Sequence, residues 1–161
     1  PRYARSSMAH KLEVQRAVLD FSAFPLVVLT ELGPLSDRDR VTITEGLDEL
    51  VDQRERHAVV LDLTRGVAMP PEQQMYVAET FFQMREELIV EKWACLGVVV
   101  GTPVIKHMAL ANFWLKGTPV LSKLFPKLSE ATAWASGLAV QRQSLEMRPQ
   151  SFAPGKLRPA R

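Results

Sequence analysis

Metal, nucleophilic or proton-transfer chemistry in this chain would have to rest on few residues. There are three histidines, His10, His57 and His107, and one cysteine, Cys95. The histidines are too scattered to supply two metal ligands at helical spacing, and a single cysteine can build neither an intrachain disulfide nor a cysteine-rich zinc site. Cys95 lies in the apolar run Trp93-Ala94-Cys95-Leu96-Gly97-Val98, with no base beside it to make a thiolate, and is expected to be a small buried hydrophobe. His57 follows Arg56 at a helix-to-strand junction and is expected to be a solvated cap. The two strand-to-helix turns, Thr64-Arg65-Gly66 and Gly101-Thr102-Pro103, lack the Gly-x-Ser-x-Gly pattern of a nucleophile elbow. No dinucleotide fingerprint or phosphate loop is present, and the one helix start suited to an anion, Thr102 to Lys106, is a weak signal because every helix has such an end. The acidic pairs Asp48-Glu49 and Glu86-Glu87 stand among polar neighbours as solvated helix faces. No catalytic residue, metal or cofactor is therefore expected.

The elements that would position these residues follow from two alternating periodicities. Leu12 to Phe21 alternates imperfectly and predicts a first strand; Pro25 to Thr30 is a β-branched second strand. Ser36 opens a helix by accepting a bond from the amide three residues on, and that helix runs to about Arg56 with Val41, Leu47, Leu50 and Val51 inward. Ala58 to Leu63 is a third strand, apolar enough to be covered on both faces. Pro70-Pro71-Glu72 opens a second helix with Met75, Ala78, Phe82 and Ile89 inward, widened by Phe81, Met84 and Leu88. Ala94 to Val100 is a fourth strand, Thr102 to about Leu115 a third helix, Pro119 to Leu121 a fifth strand, and Ser129 onward a fourth helix with Ala133, Trp134 and Leu138 inward. The order ββαβαβαβα predicts an α/β domain, a single mixed and largely parallel sheet of about five strands with four helices. Trp93, Trp114 and Trp134 do not interleave with basic residues as stacking platforms would, and are expected to close the core or a subunit interface.

The 161 residues suit one domain, and 47% hydrophobic with 24% charged residues is ordinary for a folded one. No apolar run approaches the roughly 20 residues needed to cross a bilayer, and none follows the first charges as a signal peptide would require, so a cytoplasmic location is expected. Residues 1–9 are expected to be a flexible leader, with Met8 as plausible a natural start as Pro1; residues 10–142 form the domain; residues 143–161 are a basic tail with Pro149, Pro154 and Pro159. The net charge of +2 is unevenly placed: residues 1–11 carry +3 and residues 141–161 carry +4, leaving 12 basic against 17 acidic residues between them. A nucleic-acid reader would carry its positive charge on the folded part, so no specific nucleic acid is expected. The basic ends could add weak contact with an acidic partner or an anionic surface.

The run from about Pro25 to Leu138 resembles the STAS-like domains, the class related to bacterial anti-sigma-factor antagonists and grouped with SEC14-type domains. The resemblance is carried by Ala58-Val59-Val60-Leu61-Asp62-Leu63-Thr64, by Leu96-Gly97-Val98-Val99-Val100 and by Leu128-Ser129-Glu130-Ala131-Thr132-Ala133-Trp134. It implies a mixed sheet backed by helices, used as a regulatory binding module. Members that act as phospho-switches carry Asp-Ser at the start of the helix after the central strand. Here the corresponding loop is Thr64-Arg65-Gly66-Val67-Ala68-Met69-Pro70-Pro71, with no serine, so a serine phospho-switch is not expected. Thr64, its only hydroxyl, is expected to bond the turn.

Three functional expectations follow. The leading one is a non-catalytic regulatory module of a bacterial cytoplasmic signalling system that binds another protein, and itself as a homodimer, through Met75, Phe81, Met84 and Leu88, because these cover more of a helix than one sheet contact needs. The first alternative is a carrier of a small apolar or lipid-like ligand lined by Met75, Phe82, Phe113 and Trp114. The second is an enzyme with a cleft at the carboxy ends of the strands, around Asp62, Arg65, Lys106 and His107.

Overall fold

The computed structural model describes residues 11–52, 56–66, 86–103 and 120–146. Its elements are β1 (Lys11–Val14), β2 (Ala17–Asp20), β3 (Leu26–Glu31), α1 (Asp37–Asp52), β4 (His57–Leu63), α2 (Glu86–Lys92), β5 (Trp93–Val100), β6 (Ser122–Phe125) and α3 (Leu128–Glu146). The six strands form one sheet in sequence order. β1, β2 and β3 are antiparallel neighbours, whereas β3, β4, β5 and β6 run parallel. The mixed, largely parallel α/β sheet is thus as expected, but it has six strands where about five were predicted. Among the described residues there are three helices where four were predicted; the third predicted helix lies, beyond its start, outside those residues, as do residues 70–85 of the second.

The extra strand arises because the first predicted strand is a hairpin. Its apolar residues occupy even positions at Leu12 and Val14 and odd positions at Ala17 and Leu19, so the phase flips across a turn at Gln15 and Arg16. Folding back restores all four to one face, where they pack together with α1. The last strand also differs from the prediction. Leu121 is exposed, its carbonyl accepting from the Leu96 amide at 2.9 Å, and pairing with β5 runs from Ser122 to Phe125. Leu124 and Phe125 then point to opposite covered faces.

α1 and α2 cover one face of the sheet and α3 the other. On the first face Ile43 and Leu47 of α1 meet Ala17, Leu19, Val27 and Leu29, while Ile89 of α2 meets Val59, Leu96 and Val98. Val41, predicted to face inward, is 57% exposed, because the buried stripe of α1 passes through Ile43 instead. α1 begins at a reciprocal cap: Ser36 Oγ accepts from the Asp39 amide at 3.1 Å, and Asp39 Oδ2 accepts from the Ser36 amide at 3.0 Å and from Ser36 Oγ at 2.7 Å. The Ser36 hydroxyl, followed by its amide, holds the Asp39 carboxyl below the usual carboxylate range. The guanidinium of Arg56 donates to the carbonyls of Glu91 at 2.6 Å and Val90 at 2.9 Å, satisfying the carboxy end of α2.

His57 is a correction to the solvated cap expected of it. It is the first residue of β4, fully buried, with ring centroids 6.0 Å from Phe24 and 6.5 Å from Trp93. The parallel register puts it opposite Trp93 at an irregularity in the ladder, which turns both rings into the core. Cys95 is fully buried, as expected.

On the second face, α3 lies close to the strands through a stripe of small residues. Ala131, Ala135 and Ala139 are buried against Leu26, Ala58, Val60, Cys95 and Val99, with Trp134 and Leu138 packed at the sides. Ala133, predicted to face in, is exposed, since the buried stripe falls at i, i+4 and i+8 from Ala131. A Cβ placed on Gly97 of β5 would be 3.6 Å from the Ala131 methyl and 3.4 Å from Val60 Cγ2, so small groups on both sides set the approach. Ala135→Leu should lower unfolding free energy by about 1–3 kcal/mol through overpacking. Gly137→Ala, at an exposed helical position with nothing within 4 Å of the added methyl, should raise it by about 0.5–1 kcal/mol. Urea denaturation read by circular dichroism checks both, and equal signs would contradict the packing described.

Candidate functional site

The candidate site lies at the carboxy ends of β3, β4 and β5, where open α/β sheets place their binding residues. β4 ends in a self-contained turn. Asp62 is buried, and its Oδ1 accepts from the Thr64 amide at 3.0 Å and from Thr64 Oγ1 at 2.7 Å, while the Gly66 amide donates to the Leu63 carbonyl at 3.0 Å. The same aspartate-to-hydroxyl turn closes β2, where Asp20 Oδ1 accepts from the amide and hydroxyl of Ser22. Thr64 therefore bonds the turn, and Thr64 and Arg65 are exposed above it. The neighbouring loop abuts this one: a Cβ on Gly101 would be 2.7 Å from the Thr64 carbonyl oxygen, so backbone occupies the space a side chain would need.

Sequence reasoning missed Glu31, the last residue of β3. It pairs with Ala17 of β2, and its Oε2 would be 3.1 Å from a Cβ on Gly66. Burial pushes its carboxyl up to about 7 from an ordinary 4.5, opposed by the positive charge of Arg40. Arg40 NH1 donates to Asp37 Oδ1 and NH2 to the Leu35 carbonyl, both at 3.1 Å. The signal available in the sequence was a lone acid ending an otherwise apolar strand, which strand periodicity alone does not separate from a solvated strand end.

Of the predicted site residues, Thr64, Arg65 and Gly66 are brought together in the turn after β4, whereas Pro70 and Pro71 lie outside the described residues. Leu88 is on α2 and exposed; Met75, Phe81 and Met84, predicted for the same face, lie outside the described residues. Phe82, Phe113 and Trp114, the alternative apolar lining, also lie outside, as do Lys106 and His107 of the cleft reading. The remaining pair of that cleft, Asp62 and Arg65, is divided: Asp62 is buried and holds Thr64, while Arg65 is exposed. Among the described residues no group of three or more His, Cys, Asp or Glu could hold a metal ion, and no helix is long and apolar enough to cross a membrane.

No family model and no curated protein matches the sequence. The fold is matched by the crystal structure of an uncharacterized protein of the DUF3478 family, with a SpoIIAA-like fold, from Shewanella loihica PV-4. The match has a TM-score of 0.52 at 12% identity, over 78% of this chain and 90% of that one. The chain has a SpoIIAA-like, STAS-like fold. At this identity the likeness is one of fold alone.

Glu31 makes the stability of the domain dependent on pH. Its carboxyl holds a proton in the folded chain up to about pH 7 but in the unfolded chain only to about 4.5. The stabilisation from the neutral form is therefore complete below about 4.5, is lost as pH rises to about 7 and changes no further above it. Unfolding free energy should fall by on the order of 2–3 kcal/mol across that window, and the difference between wild type and Glu31→Gln should follow this curve. Asp20, Asp39 and Glu91 are all lowered and titrate beneath the window. Parallel curves for the two proteins in urea titrations from pH 4.5 to 8 would refute it.

Proposed function

We propose that this chain is a non-catalytic regulatory module of a bacterial cytoplasmic signalling system, acting by binding another protein through the face that includes α2 and also pairing with itself. The observation that carries this reading is the exposure of apolar side chains on α2. Leu88 and Val90 are 43% and 45% exposed on either side of Ile89, which is 1% exposed. A helix that needed only to cover the sheet would keep its apolar groups on Ile89's side. Glu87 and Glu91 are exposed on the side of α2 opposite Ile89, between Leu88 and Val90, so the complementary surface sets basic groups between apolar ones. The STAS-like fold supports a binding role without naming the partner.

The module is not proposed to be a serine phospho-switch. The hydroxyl of the loop after β4 belongs to Thr64, and it donates to Asp62 within its own turn. A phosphate on that oxygen would replace the bond and set negative charge against the Asp62 carboxylate. The basic chain ends add weak contact with an acidic partner or an anionic surface, stronger at low salt.

Leu88→Asp tests the face because the side chain is exposed, and the substitution should change unfolding free energy by no more than about 0.5 kcal/mol. In affinity capture with the full chain followed by mass spectrometry, a defined protein held by wild type should be weakened about tenfold or more by the variant, with unchanged thermal unfolding. Capture of the same proteins in the same amounts by both would show that this face is not the interface.

A further inference from the structure

We propose that β1 is the edge through which the protein pairs with a second copy of itself, the two β1 strands running antiparallel with Lys11 of each chain opposite Glu13 of the other. This surface gives the self-pairing of the proposed function a place and rests on that reading. It is separate from α2, which lies over β4 and β5. β1 is an outermost strand of the sheet, and among the described residues β2 is its only strand neighbour.

The backbone groups that β1 turns outward follow from its neighbours. The Leu32 amide donates to the Arg16 carbonyl at 2.8 Å, at the end of the β2–β3 pair. Backbone direction alternates along a strand, so Ala17 and Leu19 turn their amides and carbonyls toward β1, and Val18 turns toward β3. Their register partners Val14 and Leu12 are therefore the β1 residues bonded to β2. Lys11 and Glu13 direct their amides and carbonyls away from the sheet.

Side chains decide which strand fits there. Lys11 and Glu13 are exposed on one face of the sheet. Leu12 and Val14 are half-buried on the other, where Leu12 lies against Gly46 of α1. Exposed charges on an edge deter pairing with strands of unrelated sequence. A second β1 is the strand they complement. Of the antiparallel registers that keep Leu12 and Val14 on the apolar face, those with Lys11 opposite Lys11 or Glu13 opposite Glu13 confront like charges. The register with Leu12 opposite Leu12 sets Lys11 opposite Glu13 on both sides of the two-fold axis. These are also the residues with outward amides and carbonyls, so each pair exchanges two backbone hydrogen bonds. Lys11, whose ammonium stands 3.2 Å from Asp20, then has a carboxylate on either side. Four residues make a short ladder, which places the pairing in the weak, reversible class.

Sedimentation velocity of the full chain from about 10 µM to about 1 mM tests this, since weak pairing shows there as a concentration-dependent shift toward dimer. Lys11→Glu and Glu13→Lys each oppose like charges and should each weaken self-association about tenfold or more. Mixed in equal amounts, the two variants regain both opposite-charge pairs and should form a heterodimer within about threefold of wild-type strength. The double variant Lys11→Glu/Glu13→Lys should regain them with itself. Both positions are exposed, and unchanged thermal unfolding confirms that each variant is folded. A dimer that neither single variant weakens leaves self-pairing standing and overturns β1 as its place. Loss in the single variants with no recovery in the mixture or the double variant overturns the pairing of Lys11 with Glu13. A monomer at every concentration overturns self-pairing itself, and this proposal with it. Partner capture through Leu88 is independent of all these outcomes.

Discussion

The close seating of α3 on the parallel strands is the constraint on which the rest of the domain depends. Ala131, Ala135 and Ala139 present methyl groups where larger side chains would hold the helix off, and Gly97 presents no side chain beneath them. Backbones brought this near exclude water from both sides of β4 and β5, whose residues from His57 to Val60 and from Trp93 to Val99 are buried. Burial on two faces is what allows these strands to be nearly continuous apolar runs. It also fixes their register, because a one-residue slip would exchange the alanine-facing set for the set that meets α2.

A core closed on both faces leaves the strand ends and the outer helix surfaces as the places where polar groups can be arranged. At the carboxy ends, the solution repeated in the chain is an aspartate that bonds the amide and hydroxyl two residues later, at Asp20–Ser22 and at Asp62–Thr64. Each of these turns satisfies its own aspartate, amide and hydroxyl. Glu31 differs in kind: it is placed where burial opposes its charge, with only the displaced influence of Arg40 to offset it. Carboxyls with lowered values, such as Asp39 in its cap, contribute to stability when ionised; Glu31 contributes when neutral.

The outer surface of the domain divides its chemistry by place. Exposed Leu88 and Val90 border acidic side chains on α2, whereas the ends of the chain are basic. The STAS-like architecture allows this, since its strand ends and its outer helices are independent surfaces built on one sheet.

Much of the architecture was legible in the residues themselves. The apolar runs of β4 and β5 and the Ser36 cap depend on local sequence, and each formed where local sequence placed it. The β1–β2 hairpin was also written there, as a flip of phase at Gln15 and Arg16 that a single-strand assignment passes over. What only the tertiary structure decided were properties of neighbours distant in sequence. His57 reads as a solvated residue beside Arg56 and becomes a core ring because β5 brings Trp93 opposite it. Ala133 and Val41 read as inward and are exposed, because the sheet selects one stripe of each helix and neighbouring stripes can be equally apolar. Glu31 reads as the end of a strand, but its proton affinity is raised by burial beside Gly66, a glycine 35 positions away in the sequence. Periodicity records which face of an element avoids water; what that face meets, and how much water is left there, is fixed only when the elements are packed.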